Sequence, residues 1–151
     1  MIGQEFKAQK LKMSQVWKEE KVAPLTYLKV LCEEALPFEV GERVKLLGRS
    51  KGRGFAGVVK RHGFAGGPKT HGQSDRWRAG GSMGGTTTPG RVYKGKRMAG
   101  RMGGDHVSVR TMVLETNEQL KTLAVKGPVP GAFGGIVRIF KTENKSHEKS
   151  A

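Results

Sequence analysis

The sequence predicts an all-β protein: a small barrel or sandwich with a long, extended, Gly/Arg-rich arm. Short strand-like runs separated by Pro and Gly turn signals occupy both ends of the chain. The stretch between them, residues 48–104, holds 17 of the 23 glycines and 13 lysines and arginines against a single acid, Asp75. With 151 residues there is room for one compact domain, which we expect residues 1–47 and 105–140 to form together.

The first part of the chain contains two strand-like runs, APLTYLKVL (23–31) and ERVKLLG (42–48), joined by an acidic connection that includes a proline. The segment 5–21 leaves two interpretations open, because it can form a helix while MSQVWKE within it suits a strand equally well. We therefore expect two strands here, preceded by a helix or a further strand.

The last part contains three more runs, HVSVRTMVLE (106–115), KTLAVKG (121–127) and GIVRIF (135–140). The first has the period-two pattern of a half-buried strand, with one side formed by Val107, Val109, Thr111 and Val113. Thr116–Asn117–Glu118 has the composition of a hairpin turn, and GPVPGAFGG is a Pro/Gly connection. We expect residues 141–151 to form a polar, mobile tail.

The formal net charge is +15, and residues 48–104 carry +12 of it. Such a charge favours nucleic acid or an anionic membrane as the partner. A membrane is the weaker interpretation, because the chain has no run of 18 apolar residues and the basic stretch lacks the period of an amphipathic helix. The N-terminus shows no apolar signal core, so we expect a cytoplasmic protein. RNA is favoured over DNA, since a glycine-rich arm lacks a helix to read a major groove.

The basic stretch has few large apolar side chains, so we predict an arm that is largely disordered when free and is fixed by its partner. Its glycines let the backbone approach phosphates, and its arginines can pair with phosphate bidentately. Trp77 and Tyr93 lie among cations and offer stacking faces to unpaired bases, although Trp77 serves equally well as a structural plug. His71 is favoured as an RNA contact, whereas His62 is left open between that role and a polar loop residue.

The predicted RNA-binding residues are the cations of the stretch together with one tryptophan and one histidine: Arg49, Lys51, Arg53, Lys60, Arg61, Lys69, His71, Arg76, Trp77, Arg78, Arg91, Lys94, Lys96, Arg97 and Arg101. The ordinary alternative is a solvated charged surface. Such surfaces carry interspersed carboxylates, which this stretch lacks apart from Asp75.

Two matches to nucleotide-binding motifs are rejected. GRGFAG (52–57) has the glycine spacing of a dinucleotide site, but glycines and a proline follow where a helix is required. GRVYKGKR (90–97) has P-loop spacing but ends in Arg97, where a Ser or Thr hydroxyl must hold magnesium. The histidines are scattered, Cys32 is the only cysteine, and no metal-ligand spacing occurs. We expect no enzyme activity, no cofactor, no metal and no small-molecule substrate.

The run from SKGRGFAGVVKRHGF to KRMAGRMGG, followed by VSVRTMVLE and LAVKGPVPGAFGGIV, resembles the universal large-subunit ribosomal protein L-three family in its bacterial form. The resemblance is strong from Leu47 to Val137 and looser before that. It implies a six-stranded β-barrel of the translation-protein type, with an extension reaching through rRNA towards the peptidyl transferase centre. It also implies binding near the 3′ end of the large-subunit rRNA, an early role in subunit assembly, and protein neighbours of the L-fourteen and L-nineteen types.

By position, the resemblance places the tip of the arm at Gly81, Ser82, Met83, Gly84, Gly85, Thr86, Thr87, Thr88 and Pro89. Between Val30 and Val40 the chain is shorter than bacterial members, which carry an α/β insertion there. Lys12 stands where the family has glycine, and the tip lacks a glutamine that some members methylate, so we predict no such modification. The rival function is that of a free-standing basic RNA chaperone or nucleic-acid-compacting protein.

Overall fold

The computed structural model describes residues 5–18, 20–32 and 35–142. Within these ranges, eight strands and one short helix follow one another: β1 (Glu5–Lys18), β2 (Lys21–Val30), β3 (Arg43–Arg49), β4 (Phe55–Ala56), α1 (Val58–His62), β5 (Gly100–Arg101), β6 (His106–Asn117), β7 (Thr122–Lys126) and β8 (Ile136–Lys141). The prediction of an all-β protein is confirmed.

The six longer strands form one antiparallel sheet in the order β1-β2-β7-β6-β3-β8. Because β8 pairs with β1 as well as with β3, each strand has two partners and the sheet closes on itself. A closed sheet leaves no unpaired edge among these six strands. The two remaining strands, β4 and β5, pair only with each other.

The core of the closed sheet follows from alternation along its strands. In β3 the side chains of Val44 and Leu46 are fully buried, while the residues on either side of them are exposed or half-buried. Leu46 pairs with Ile139 of β8, which is also fully buried, so the inward residues of neighbouring strands meet. Twelve of the described residues are buried in this core, and Phe6 packs on its edge with its ring edge-on to Phe38 at 5.1 Å between centroids.

Segment 5–21 is a strand rather than a helix over most of its length, which decides between the two interpretations. The other five predicted strands are found within a few residues of their expected bounds. The hairpin turn lies at 118–121 rather than 116–118, because Thr116 and Asn117 still pair with β7. Helix α1 was not predicted, since five residues are too few to show a helical period.

The described chain falls into two compact units, unit 1 (Met1–Lys51 with Asp105–Ala151) and unit 2 (Gly52–Gly104). All twelve core residues belong to unit 1. Within unit 2, every residue of which is described, Ala56 alone is buried. Unit 2 therefore has no hydrophobic core of its own. The predicted tail 141–151 begins too early, because Lys141 is the last residue of β8 and pairs with Val44. Most of that tail, residues 143–151, lies outside the described residues.

Two buried polar side chains of unit 1 hold the GPVPGAFGG connection. Thr26 Oγ1 donates a hydrogen bond to the carbonyl of Gly127 at 2.7 Å. Lys10 Nζ donates to the carbonyls of Val129 at 2.5 Å and Gly131 at 2.9 Å. Burial lowers the pKa of the Lys10 ammonium below its usual value, and the charge of Lys51 lowers that pKa further. Without Thr26 and Lys10, the carbonyl groups of Gly127, Val129 and Gly131 would lose these hydrogen-bond donors inside the fold.

Replacing Lys10 with methionine is expected to lower the free energy of unfolding by about 1–3 kcal/mol, because two carbonyls lose their donor. Removing a desolvated charge offsets part of this loss, so we expect the lower half of that range. Thermal unfolding followed by circular dichroism measures the effect, with Lys12→Met on the same strand as the control, since Lys12 is exposed. Equal melting temperatures for the two variants would show that the Lys10 hydrogen bonds contribute nothing.

Candidate nucleic-acid interface

Unit 2 begins and ends in a short antiparallel ladder. Phe55 pairs with Arg101, and the ladder is extended by the Arg53 amide donating to the Met102 carbonyl at 2.8 Å. The Met102 amide in turn donates to the carbonyl of Gly54 at 2.9 Å. The two chain segments are thus held side by side by backbone hydrogen bonds rather than by apolar side chains, since Phe55 itself is 76% exposed.

Helix α1 is anchored to the returning segment through one carbonyl group. Arg61 Nη1 donates to the Met98 carbonyl at 2.8 Å, and His62 Nε2 lies 3.0 Å from the same oxygen. The helix ends at His62 and is followed by Gly63, which caps it with a left-handed φ of 73°. His62, left open by the sequence, therefore makes an internal contact. Nothing in the sequence signals it, because the two partners are 36 residues apart.

Residues 64–81 form a loop closed by one backbone hydrogen bond. The amide of Gly67 donates to the carbonyl of Trp77 at 3.0 Å. Gly66 approaches so closely that a Cβ atom there would lie 2.0 Å from the Trp77 oxygen, and its φ is +78°, so only glycine fits. The loop borders a groove of about 470 Å³ lined by Phe64, Gln73 and Arg76 together with small residues.

Both aromatic residues singled out by the sequence are accessible. Trp77 is 47% exposed, and its Nε1 donates to the carbonyl of Gln73 at 3.2 Å. Tyr93 is 63% exposed. Trp77 thus combines an internal hydrogen bond with a partly exposed side chain, and so has a feature of each of its two predicted roles. An open indole or phenol ring provides a surface on which an unpaired base can stack.

All eleven cations of unit 2 are exposed: Arg53, Lys60, Arg61, Lys69, Arg76, Arg78, Arg91, Lys94, Lys96, Arg97 and Arg101. Unit 2 is fully described, and none of these side chains forms an ion pair within it. Its one acid, Asp75, is exposed as well. Eleven positive charges without carboxylate partners produce a strong positive potential around this unit, which attracts polyanions.

The other predicted residues are placed as follows. Arg49 and Lys51 belong to unit 1, and Arg49 is the last residue of β3. His71 is exposed and has a positive φ of 57°. The predicted tip, 81–89, is exposed apart from half-buried Pro89, and Ser82 Oγ lies 3.2 Å from the carbonyl oxygen of Gly84, to which it donates. The sequence interpretation missed exposed cations on β3, β6 and β8, although strand alternation signals them.

The described residues offer no alternative site chemistry. Among them, no group of three or more His, Cys, Asp or Glu side chains is placed to hold a metal ion. Within the same residues, no helix has the length and apolar character needed to cross a membrane. Unit 2 thus presents exposed cations, glycines and accessible aromatic rings to a partner.

Comparison with known proteins agrees with this chemistry. The family model described as "Ribosomal protein L3" matches residues 20–127. The chain is 59% identical over 105 residues to "Large ribosomal subunit protein uL3" of Herpetosiphon aurantiacus, covering 69% of this chain and 50% of that protein. It is 60% identical over 106 residues to the protein of the same name from Dehalococcoides mccartyi, covering 70% and 52%. For Chlorobium limicola the identity is 53% over 103 residues, covering 68% and 49%.

The chain therefore spans about half the length of the curated relatives that it matches. The family match includes all of unit 2 and four of the six strands of the closed sheet in full, β2, β3, β6 and β7. This coverage exceeds half of the chain, and the identities are far above what unrelated sequences share. The chain belongs to the ribosomal protein L3 family.

Proposed function

We propose that this protein is a structural constituent of the large ribosomal subunit, located in the cytoplasmic ribosome, that binds large-subunit rRNA and catalyses no reaction. Its relatives are named as large-subunit proteins, which supports the assignment. The observation that carries it is unit 2: eleven exposed cations, one acid and a single buried residue. A segment with this charge and no core gains stability from a surrounding polyanion rather than from itself.

Unit 1 acts in this proposal as a translation-protein-type β-barrel, and unit 2 acts as its extended rRNA-binding arm. Gly48 and Arg49, which the sequence assigned to the arm 48–104, belong to strand β3 of the barrel. The closed order of six strands supports the barrel. The absence of a core in unit 2 supports an arm that becomes ordered on rRNA.

The mechanism is electrostatic. Each cation that reaches a phosphate releases condensed counterions, and a chain making several such contacts binds with a strong dependence on salt. Arginine forks bind phosphate oxygens bidentately, while Trp77 and Tyr93 stack on unpaired bases. The arm thus fills spaces between RNA helices and holds them together by neutralising their mutual repulsion.

The finer placement follows the family resemblance. The tip, Gly81–Pro89, approaches the peptidyl transferase centre, and the protein binds near the 3′ end of the large-subunit rRNA early in assembly. Its protein neighbours are of the L-fourteen and L-nineteen types. The exposed, glycine-rich tip supports a close approach of its backbone to RNA.

Sedimentation of tagged protein from bacterial cells tests the proposed function. We expect the protein to co-migrate with large subunits on a sucrose gradient after a high-salt wash, because contacts enclosed by folded RNA are shielded from exchange. Crosslinking within those subunits should join residues of the arm, including the tip, to rRNA. A protein that is stripped by the wash and recovered free would instead be an RNA chaperone that binds through charge alone.

A further inference from the structure

The fold gathers the four arginines of unit 1 and two of its lysines on one side of its sheet, although the sequence spreads them from residue 7 to residue 138. Strands β1, β8, β3 and β6 are consecutive neighbours in the closed sheet. Their inward residues, such as Val44, Leu46 and Ile139, fill the core. Alternation then turns the intervening residues outward. We name this outer surface the basic sheet face, and its cations are Lys7, Arg43, Lys45, Arg49, Arg110 and Arg138.

Two pairs of like charges stand directly opposite each other on the basic sheet face. Lys45 pairs in register with Arg110, and Lys7 pairs with Arg138. Like charges at directly opposed positions destabilise a strand pair. Two acids lie among the described outward residues of these four strands: Glu5, whose Oε1 lies 3.7 Å from Arg138 Nη1, and Glu115, near the C-terminal end of β6. The arrangement therefore lowers the stability of the free protein and suits a bound anion.

Arginines and lysines are also distributed unevenly over the outer surface of unit 1. All four arginines of unit 1 lie on the basic sheet face. The outward residues of β2 and β7 include the lysines Lys29 and Lys126 but no arginine. Arginine is the residue that pairs bidentately with phosphate, whereas lysine acts as a point charge. A surface that contacts only solvent is not expected to carry arginine and lysine on different strands.

A groove of about 260 Å³ lies in the basic sheet face. Its walls include Lys7, Arg49, His106 and Arg138, with the apolar side chains of Leu47 and Ile136 between them. Neighbouring strands lie about 4.8 Å apart and alternate residues about 6.6 Å apart. Six cations at such spacings extend over four strands, so a single phosphate reaches few of them. The face fits an extended polyanion.

We propose that the basic sheet face is a second RNA-binding surface, which contacts the phosphate backbone of folded rRNA in addition to the contacts of unit 2. This inference rests on the proposed function, because the ribosome supplies the polyanion. An acidic protein surface is the alternative occupant, and it is separated from RNA by the experiment. The two surfaces belong to one chain, so engagement of either raises the effective concentration of the other at the same RNA.

Lysine footprinting of the unaltered chain tests the proposal without any substitution. The protein is acetylated with and without deproteinised bacterial large-subunit rRNA, and the modification of each lysine is followed by mass spectrometry. Lys7 and Lys45 should be protected several-fold by the rRNA, while Lys29 and Lys126 should react at nearly unchanged rates. Polyglutamate at equal charge should not reproduce this pattern. Equal protection of all four lysines, or equal protection by polyglutamate, would overturn the proposal.

Matched variants give a second, independent measurement. Replacing Arg43, Lys45 and Arg110 with glutamine should reduce the slope of log K for rRNA against log salt by about 2–3, at roughly 0.7–0.9 per phosphate contact. The control with Lys12, Lys29 and Lys126 replaced by glutamine loses the same charge and should change the slope by less than about 1. Because opposed like charges are removed, the first variant should melt at an equal or higher temperature.

The outcomes separate this inference from the proposed function. If the first variant matches the control in slope while variants of unit 2 lose binding, the basic sheet face is not an RNA surface and the proposed function stands. A lowered melting temperature with an unchanged slope would identify the face as structural and also overturn the inference. Failure of the unaltered chain to bind rRNA at all would overturn both.

Discussion

Replacing Arg91, Lys94, Lys96 and Arg97 with alanine is expected to weaken rRNA binding on the order of 10³-fold at about 0.1 M salt. Each phosphate contact contributes roughly 0.7–0.9 to the slope of log K against log salt, so four contacts remove about 3 from it. At about 1 M salt the electrostatic contribution vanishes and the variant should bind as weakly as the unaltered chain. Filter binding over a salt series measures both quantities.

The same substitutions should leave the unfolding of unit 1 unchanged, because all four side chains are exposed and belong to the unit without a core. A charge-preserving variant, Arg91→Lys with Arg97→Lys, is the control. It should keep most of the slope while losing the affinity that depends on the planar fork of arginine. Unchanged rRNA affinity together with a lowered melting temperature would show that these residues are structural and would contradict the proposed role of the arm.

The strands of unit 1 were predictable because their apolar residues carry a local, period-two signal. In β3 the buried residues Val44 and Leu46 alternate with exposed cations, as the sequence alone shows. Strand β1 gave no such signal, because its register shifts between Lys10 and Met13 and the shift breaks the alternation. Residues 12–17 of β1 are exposed on both faces of the strand apart from half-buried Val16, and Trp17 is 71% exposed. No hydrophobic pattern therefore distinguishes a strand from a helix in this part of the sequence.

The candidate interface was predictable in its chemistry and not in its geometry. Charge and glycine content are sums over residues and need no knowledge of contacts, so the basic character of 48–104 follows from composition. The closure of the loop at Trp77 and the anchoring of α1 on Met98 depend on pairs that are distant in sequence. Averaging over composition also hid the basic sheet face, since the twelve acids of unit 1 offset twelve of its seventeen cations in a sum.

Excision of unit 2 is the change with the largest expected effect on function. Residues 52–104 are replaced by a linker of about four glycines between Lys51 and Asp105. The junction allows this, because the Ser50 amide donates to the Asp105 carbonyl at 2.9 Å and the Asp105 amide donates to Ser50 Oγ at 3.2 Å. The excised protein should retain its fold, since all twelve core residues remain. It should lose incorporation into large subunits.

The stability of the excised protein distinguishes a partner-ordered arm from a self-supporting one. Shortening a flexible loop from 53 residues to about four saves roughly 2 kcal/mol of closure entropy, so the melting temperature should rise. A fall in melting temperature would mean that unit 2 stabilises unit 1 through its own packing, contrary to an arm ordered by rRNA. Leu46→Ala in the excised chain is the control: it should lower the free energy of unfolding by about 2–5 kcal/mol, because Leu46 is fully buried, and so prove that the transition reports the core.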